Sequence, residues 1–203
     1  MKIGLFGGTF NPPHLAHMDA AAHAKKVLSL DRVILVPSSL PPHKELPQAS
    51  PTPLQRLAMC KLAAEDMDGF EVSDAEIRRG GRSYTIDTLA EFRRALPDDL
   101  LWLLMGQDMA MTLDKWHKAE ELHEYCSIGV LIRGDVERDI RASMREVSAA
   151  LGLEIRVVDN TPVTLSSTRL RSLGRADMRQ FVCGKVYDYI MQNHLYDKNQ
   201  QEE

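Results

Sequence analysis

The sequence predicts an α/β fold built on a mainly parallel, doubly wound sheet. Three observations carry this reading. Short apolar runs alternate with amphipathic helical stretches along nearly the whole chain, the order expected when crossover helices join parallel strands. The first apolar run stops at Gly7-Gly8, and a helical stretch follows closely. Residues able to carry chemistry gather where strands give way to loops, at 7–17, 38–44, 106–108 and 163–171. Ligands in open parallel sheets bind at those carboxyl ends.

The elements follow in order. Residues 2–6 read as a buried strand ended by the glycine pair. Pro12-Pro13 then precede an Ala-rich helix over 14–29. Proline suits a helix start because its missing N–H would have no intrahelical partner there. A strand over 32–36 is stopped by Pro37, and a proline-rich connection fills 37–53. Connections of that length in a compact domain are functional or disordered. A helix over 54–66 and a short strand over 70–73 come next. Ser83-Tyr84 lead into a helix reaching Ala95, with Leu89, Phe92 and Leu96 on one face. An apolar strand over 100–105 ends at Gly106. A strand over 127–132, a helix over 140–151 and a strand over 154–158 continue the alternation, and 166–172 and 185–192 read as helices. No repeat or low-complexity segment interrupts the pattern. The expected organisation is one domain over 1–196 with a polar tail over 197–203.

Bulk properties exclude several classes. Of 203 residues, 44% are hydrophobic and 27% charged, enough apolar surface to bury a core and too much for a disordered chain. The net charge of −4 offers no basic excess for a nucleic-acid partner. Cys60, Cys126 and Cys183 are scattered, which suggests neither a disulfide framework nor a zinc site and fits a reduced cytoplasmic protein. The N-terminus lacks a signal-peptide pattern. No apolar run approaches the roughly 18 residues that span a membrane. The oligomeric state stays open, self-association included.

The most specific segment is Gly7-Gly8-Thr9-Phe10-Asn11-Pro12-Pro13-His14-Leu15-Ala16-His17. A strand feeds a glycine turn, and the turn feeds a helix. Glycines let a backbone approach a ligand closely, and the helix N-terminus presents N–H groups and partial positive charge that suit phosphate. His14 and His17, at i and i+3, project from one side of the first turn. Each part alone has a bland reading, as a tight turn and two surface histidines. A histidine metal site lacks an evident third ligand. The string has neither the Gly-Lys-Ser/Thr ending of a P-loop nor the dinucleotide-binding glycine spacing. A second candidate lies near the other end, Leu165-Ser166-Ser167-Thr168-Arg169-Leu170-Arg171. Its hydroxyls suit helix caps or phosphate, and Arg171 suits oxygen anions.

The first string resembles the Gly-Gly-Thr-Phe-Asp-Pro-x-His-x-Gly-His signature of the nucleotidylyltransferase superfamily. The second resembles that superfamily's Ile-Ser-Ser-Thr-x-Ile-Arg signature. Asn11 and Ala16 depart from the usual Asp and Gly. Ala16 would tighten the approach of an adenosine, and Asn11 makes an acid's role at that position doubtful. Four further features are similar to the bacterial nicotinate mononucleotide adenylyltransferases, in order and with fitting spacing: Pro37 to Lys44, Ser83 to Leu89, Gly106-Gln107-Asp108, and Trp116.

The resemblance implies a Rossmann-like fold of nucleotidylyltransferase type. It implies transfer of AMP from ATP to nicotinate mononucleotide in NAD biosynthesis, by in-line attack with no covalent enzyme intermediate. His14 and His17 are the implied catalytic residues. The ATP site is implied to comprise Gly7, Gly8, Thr9, Phe10, His14, His17, Gly106, Asp108, Ser166, Ser167, Thr168 and Arg171. Asn11, Lys44, Tyr84, Thr85, Trp116 and His117 are implied for the acceptor. Mg²⁺ is implied as the companion of ATP, held mostly by nucleotide and water, with no metal site on protein ligands. The rival readings are another acceptor, such as pantetheine phosphate, and a nucleotide-binding module without the reaction. A tRNA synthetase fragment fits a short acidic chain poorly.

Overall fold

In the computed structural model the described residues are 1–42, 45–47, 49–133, 137–160, 166–173 and 175–197. They form one parallel sheet with helices on both faces. β1 (Lys2–Gly8), α1 (Leu15–Val27) and β2 (Arg32–Pro37) come first, then α2 (Pro53–Ala64), β3 (Phe70–Val72), α3 (Ala75–Arg79) and α4 (Thr85–Ala95). β4 (Leu100–Gly106) leads into α5 (Gln107–Ala110) and two 3-10 turns, Leu113–Lys115 and Ala119–Glu124. β5 (Ser127–Arg133), α6 (Glu137–Leu151), β6 (Ile155–Asn160), α7 (Ser167–Ser172), α8 (Arg175–Met178) and α9 (Gly184–Gln192) complete the chain.

The strand order is β3-β2-β1-β4-β5-β6. All five pairings are parallel, where the sequence predicts a mainly parallel sheet. The chain winds outward from β1 through β2 to β3, then returns to β4 and winds the other way. β1 and β4 are therefore neighbours whose connections leave in opposite directions. That switch point opens a crevice above their carboxyl ends, and Gly7-Gly8 and Gly106 stand there.

Period-2 alternation sends successive strand residues to opposite faces. Ile3, Leu5, Leu101, Leu103 and Met105 pack on one face with Ile86 and Leu89 of α4 and Ile140 and Met144 of α6. Phe6, Val33, Leu35, Trp102 and Leu104 pack on the other with Met18, Ala21 and Ala24 of α1 and Cys60 of α2. Gly129 permits a close approach on this face, since a Cβ there would lie 2.7 Å from Leu104 and 2.9 Å from Leu28. A third cluster joins Ala16 and Met59 to Leu170, Met178, Val186 and Ile190. It docks α7 and the C-terminal helices beside the start of α1, and Leu15 N–H donates to the Phe181 carbonyl at 2.8 Å.

Every predicted strand and long helix is present within a few residues of its expected ends. α2 begins one residue early because Thr52 caps it through a reciprocal pair with Gln55 and Pro53 occupies the first turn. α3, α5, α8 and the two 3-10 turns have no counterpart in the sequence reading. At three to six residues each, they are too short to leave a 3.6-residue period.

Between β2 and α2 the described residues form no helix or strand, only an isolated bridge from Leu40 to Arg82. The connection is nevertheless tied down. Ser38 N–H donates to the Gly8 carbonyl at 2.9 Å, Ser39 N–H to Ser83 Oγ at 2.9 Å, and Asn11 Nδ2 to Ser50 Oγ at 3.1 Å.

Candidate active site

A cavity of about 310 Å³ opens over the carboxyl ends of β1 and β4. Eight of the sequence-predicted residues line it: Gly7, Gly8, Thr9, Tyr84, Thr85, Gly106, Trp116 and His117. A Cβ built on Gly7 or on Gly106 would meet nothing within 4 Å. Glycine at these strand tips thus leaves room for a ligand rather than for a neighbouring side chain. Gly8 has another reason. A Cβ there would lie 3.2 Å from the Phe10 ring.

Phe10 is 3% exposed and sits edge-on to Phe6, with ring centroids 5.6 Å apart. Its ring is a core piece, and its backbone, at φ 48°, makes the turn. That ring also abuts His17 at 5.4 Å. His14 and His17 stack at 3.6 Å with an interplanar angle of 20°. His14 N–H donates to His17 Nδ1 at 3.3 Å. With Nδ1 accepting, the proton of a neutral His17 ring sits on Nε2, which makes that nitrogen a donor. Aromatic packing and the bond from His14 N–H to His17 help hold the histidine pair at the first turn of α1.

The second signature lies against the first. Ser167 Oγ donates to the Pro12 carbonyl at 3.4 Å. Arg171 Nη1 donates to the Asn11 carbonyl at 2.9 Å, and Nη2 to Thr168 Oγ1 at 3.2 Å. Ser166 caps α7 by accepting Arg169 N–H at 3.2 Å. The segments predicted for the triphosphate therefore meet in space, with Ser166 serving the helix.

The remaining predicted residues are placed as follows. Asp108 is exposed in the first turn of α5 and is not part of the cavity wall. Asn11 is 1% exposed, and its side chain is engaged twice, donating to Ser50 and accepting Tyr196 O–H at 2.7 Å. Ala16 packs with Met59 and Leu170 at 3% exposure. Its methyl packs at the junction of α1, α2 and α7. Lys44 lies outside the described residues. Among the described residues no group of three or more His, Cys, Asp or Glu is placed to hold a metal.

Three functional candidates escaped the sequence reading. Arg56 of α2 is 0% exposed. Tyr196 reaches back from the C-terminal end to Asn11. Glu76 of α3 is 7% exposed and lines the cavity. A signal existed for Arg56, which falls on the apolar stripe of α2 with Met59 and Cys60. None existed for the others, which depend on contacts distant in sequence.

Glu76 Oε1 accepts Thr88 O–H at 2.7 Å, and Thr88 Oγ1 accepts Arg79 Nη2 at 2.7 Å. Burial pushes the Glu76 carboxyl above its ordinary range, opposed by the hydroxyls of Thr88 and Ser83 and by the Arg79 and Arg56 charges. The sign follows from linkage. A carboxyl whose folded pKa is raised binds its proton more tightly when folded, so its contribution is fully present below the unfolded pKa and is lost as pH rises through the folded one. Glu76→Gln should therefore flatten the fall in stability as pH rises from the ordinary glutamate range. Denaturant titrations of both proteins across that range check this, and parallel pH curves would refute it.

The whole-chain comparisons agree with this geometry. A cytidylyltransferase-like family model matches residues 5–173. A protein of Aeromonas salmonicida strain A449 is 40% identical over 96% of each chain. One from Pseudomonas aeruginosa strain PAO1 is 39% identical, covering 96% of this chain and 97% of its own. Both carry the name "probable nicotinate-nucleotide adenylyltransferase". The chain belongs to the cytidylyltransferase-like family, and within it to the nicotinate-nucleotide adenylyltransferases. It is thus an enzyme of the nucleotidyltransferase class. Similarity of fold extends further. The Plasmodium falciparum nicotinic acid mononucleotide adenylyltransferase complexed with NaAD superposes with a TM-score of 0.78 at 17% identity, covering 98% of both chains. The same protein complexed with APC gives 0.75 at 16%. No helix among the described residues is long and apolar enough to cross a membrane.

Proposed function

We propose that this enzyme transfers AMP from ATP to nicotinate mononucleotide, giving nicotinate adenine dinucleotide and pyrophosphate, as a cytoplasmic step of NAD biosynthesis. One observation carries the reading beyond the family name. A single cavity joins the glycine turn of the first signature to Trp116 and to the start of α4.

The acceptor side has the chemistry for a pyridine carboxylate. Trp116 is half-buried beside the cavity, and its ring offers a flat apolar face. Tyr84 and Thr85 place the first turn of α4 on the cavity wall. Amides at a helix start favour a carboxylate over a neutral amide. An amide would set its own N–H donors against them, and a mismatched polar group in a closed site costs on the order of 1–3 kcal/mol. Tyr84 and His117 rings lie 4.7 Å apart and close the same wall. Trp116→Ala should raise the acceptor KM about tenfold, the scale of one aromatic contact plus its burial, and leave the ATP KM unchanged. Steady-state kinetics varying each substrate separately check this. An effect confined to ATP would put the ring in the wrong subsite.

In the reaction the acceptor's 5′-phosphate attacks the α-phosphorus of ATP in line, and pyrophosphate departs. A phosphate monoester, with a second pKa of about 6, is already largely ionised at neutral pH and needs no general base. The protein's part is alignment and stabilisation of charge on the phosphoryl oxygens. His17 donates from Nε2, the N-terminus of α1 adds its dipole, and Ser167, Thr168 and Arg171 hold the outgoing phosphates. Mg²⁺ bound with ATP would supply neutralisation of phosphate charge, with the nucleotide and water as its main ligands.

Direct transfer is tested by exchange of labelled pyrophosphate into ATP. Exchange should need the pyridine dinucleotide product or the acceptor. Exchange with ATP and Mg²⁺ alone would reveal an adenylylated enzyme and overturn the direct route.

A further inference from the structure

We propose that Arg56 is a positioning residue for the transfer, a buried clamp that fixes the nucleotide turn and the acceptor wall relative to each other. The inference rests on the reaction proposed above. Arg56 Nη1 donates to the Thr9 carbonyl at 2.7 Å, and Nη2 donates to the Ser39 carbonyl at 2.9 Å. Thr9 belongs to the glycine turn and lines the cavity, as does Ser38 beside Ser39. One guanidinium therefore stands behind both walls of the crevice. Ser39 is also gripped from its other side, through its N–H and Ser83 Oγ.

The turn needs such support. Residues 12 and 13 are prolines, so this stretch offers carbonyls with few amide donors. Its carbonyls at Thr9, Asn11 and Pro12 each accept a side-chain donor, from Arg56, Arg171 and Ser167. In a trans peptide the C=O and the following N–H point in opposite directions. Drawing the Thr9 carbonyl toward α2 turns the Phe10 N–H away from α2.

Nothing in packing alone calls for a charge here. Arg56 is 0% exposed among the apolar Leu57, Met59 and Cys60. A buried cation is expensive unless its donors are used, and a well-packed apolar residue is often equally stable at such a position. What an apolar residue lacks is a rigid planar fork that reaches two carbonyls at once. Lysine, with a single ammonium, is the discriminating replacement.

The test is Arg56→Lys, with the fold checked by circular dichroism and both substrates varied. The expected result is a folded enzyme whose kcat falls about 10–100-fold, the scale for misaligned reactants, while both KM values stay within about threefold. A purely structural residue would lower thermal stability and leave the kcat of the folded enzyme near that of the wild type. That outcome, or a loss confined to one KM, would overturn the proposal. If the variant does not fold, the wild-type protein decides by NMR of the Arg56 side-chain N–H signals. A non-hydrolysable ATP analogue alone and nicotinate mononucleotide alone should each shift them. A shift with only one ligand, or with neither, would contradict a clamp shared by both walls. Wild-type turnover on ATP and nicotinate mononucleotide tests the underlying reaction, and the variant-to-wild-type ratio tests the clamp, so the two failures are distinct.

Discussion

His17→Ala should lower kcat by about 10²–10³, the scale for losing one preorganised donor to a developing charge. The geometry says why the effect falls on turnover. His17 Nδ1 is occupied by the His14 amide, which leaves Nε2 as the donor. The ring cannot swing freely, because His14 stacks on one face and Phe10 and Phe6 stand edge-on to it. A donor held in place before the reaction costs no reorganisation during it. Alanine removes the donor and the stacking together, so a thermal melt must accompany the kinetics. A folded variant with kcat within a few-fold of the wild type would remove His17 from the mechanism.

Arg171→Met should reduce kcat/KM for ATP by about 10²-fold, on the order of the 3 kcal/mol that a hydrogen bond from a charged group can carry. The acceptor KM should change little. Arg171 keeps one nitrogen on the Asn11 carbonyl and another on Thr168, and a guanidinium has five N–H donors in all. The first bond ties the group to the turn, and the remaining donors are those proposed for the outgoing phosphates. Methionine retains the stem that packs in this region and removes only the charged head. Unchanged ATP kinetics would show that Arg171 braces the turn and does nothing for phosphate.

The sheet was legible because parallel strands are buried on both faces and read as continuous apolar runs. Leu100 to Met105 is the clearest case. The first signature was legible because its chemistry is local. A strand, a glycine turn and a helix start are adjacent in sequence, so eleven residues specify both the conformation and the site. Phe10 shows where local reading stops. Its ring serves the core beneath the turn, and its burial depends on Phe6 and on the missing side chain of Gly8. Asn11 shows the same limit. Its partners Ser50 and Tyr196 come from distant parts of the chain. The family's usual acid would sit here 1% exposed under the O–H of Tyr196 and beside Arg171, whereas the amide meets the same partners without burying a charge. Arg56 and Glu76 were missed for a related reason. A charged residue in a helical stretch is assumed to face water, and only the tertiary contacts turn these two inward.

The central claim is tested most directly by pyrophosphate release from ATP and Mg²⁺ with nicotinate mononucleotide or nicotinamide mononucleotide as acceptor, with the dinucleotide product identified. The account predicts fast release with the acid and about 10- to 100-fold slower release with the amide, the range set by one mismatched polar group. Equal rates with the two would contradict the carboxylate site at the start of α4. No release with either would contradict the proposed acceptor.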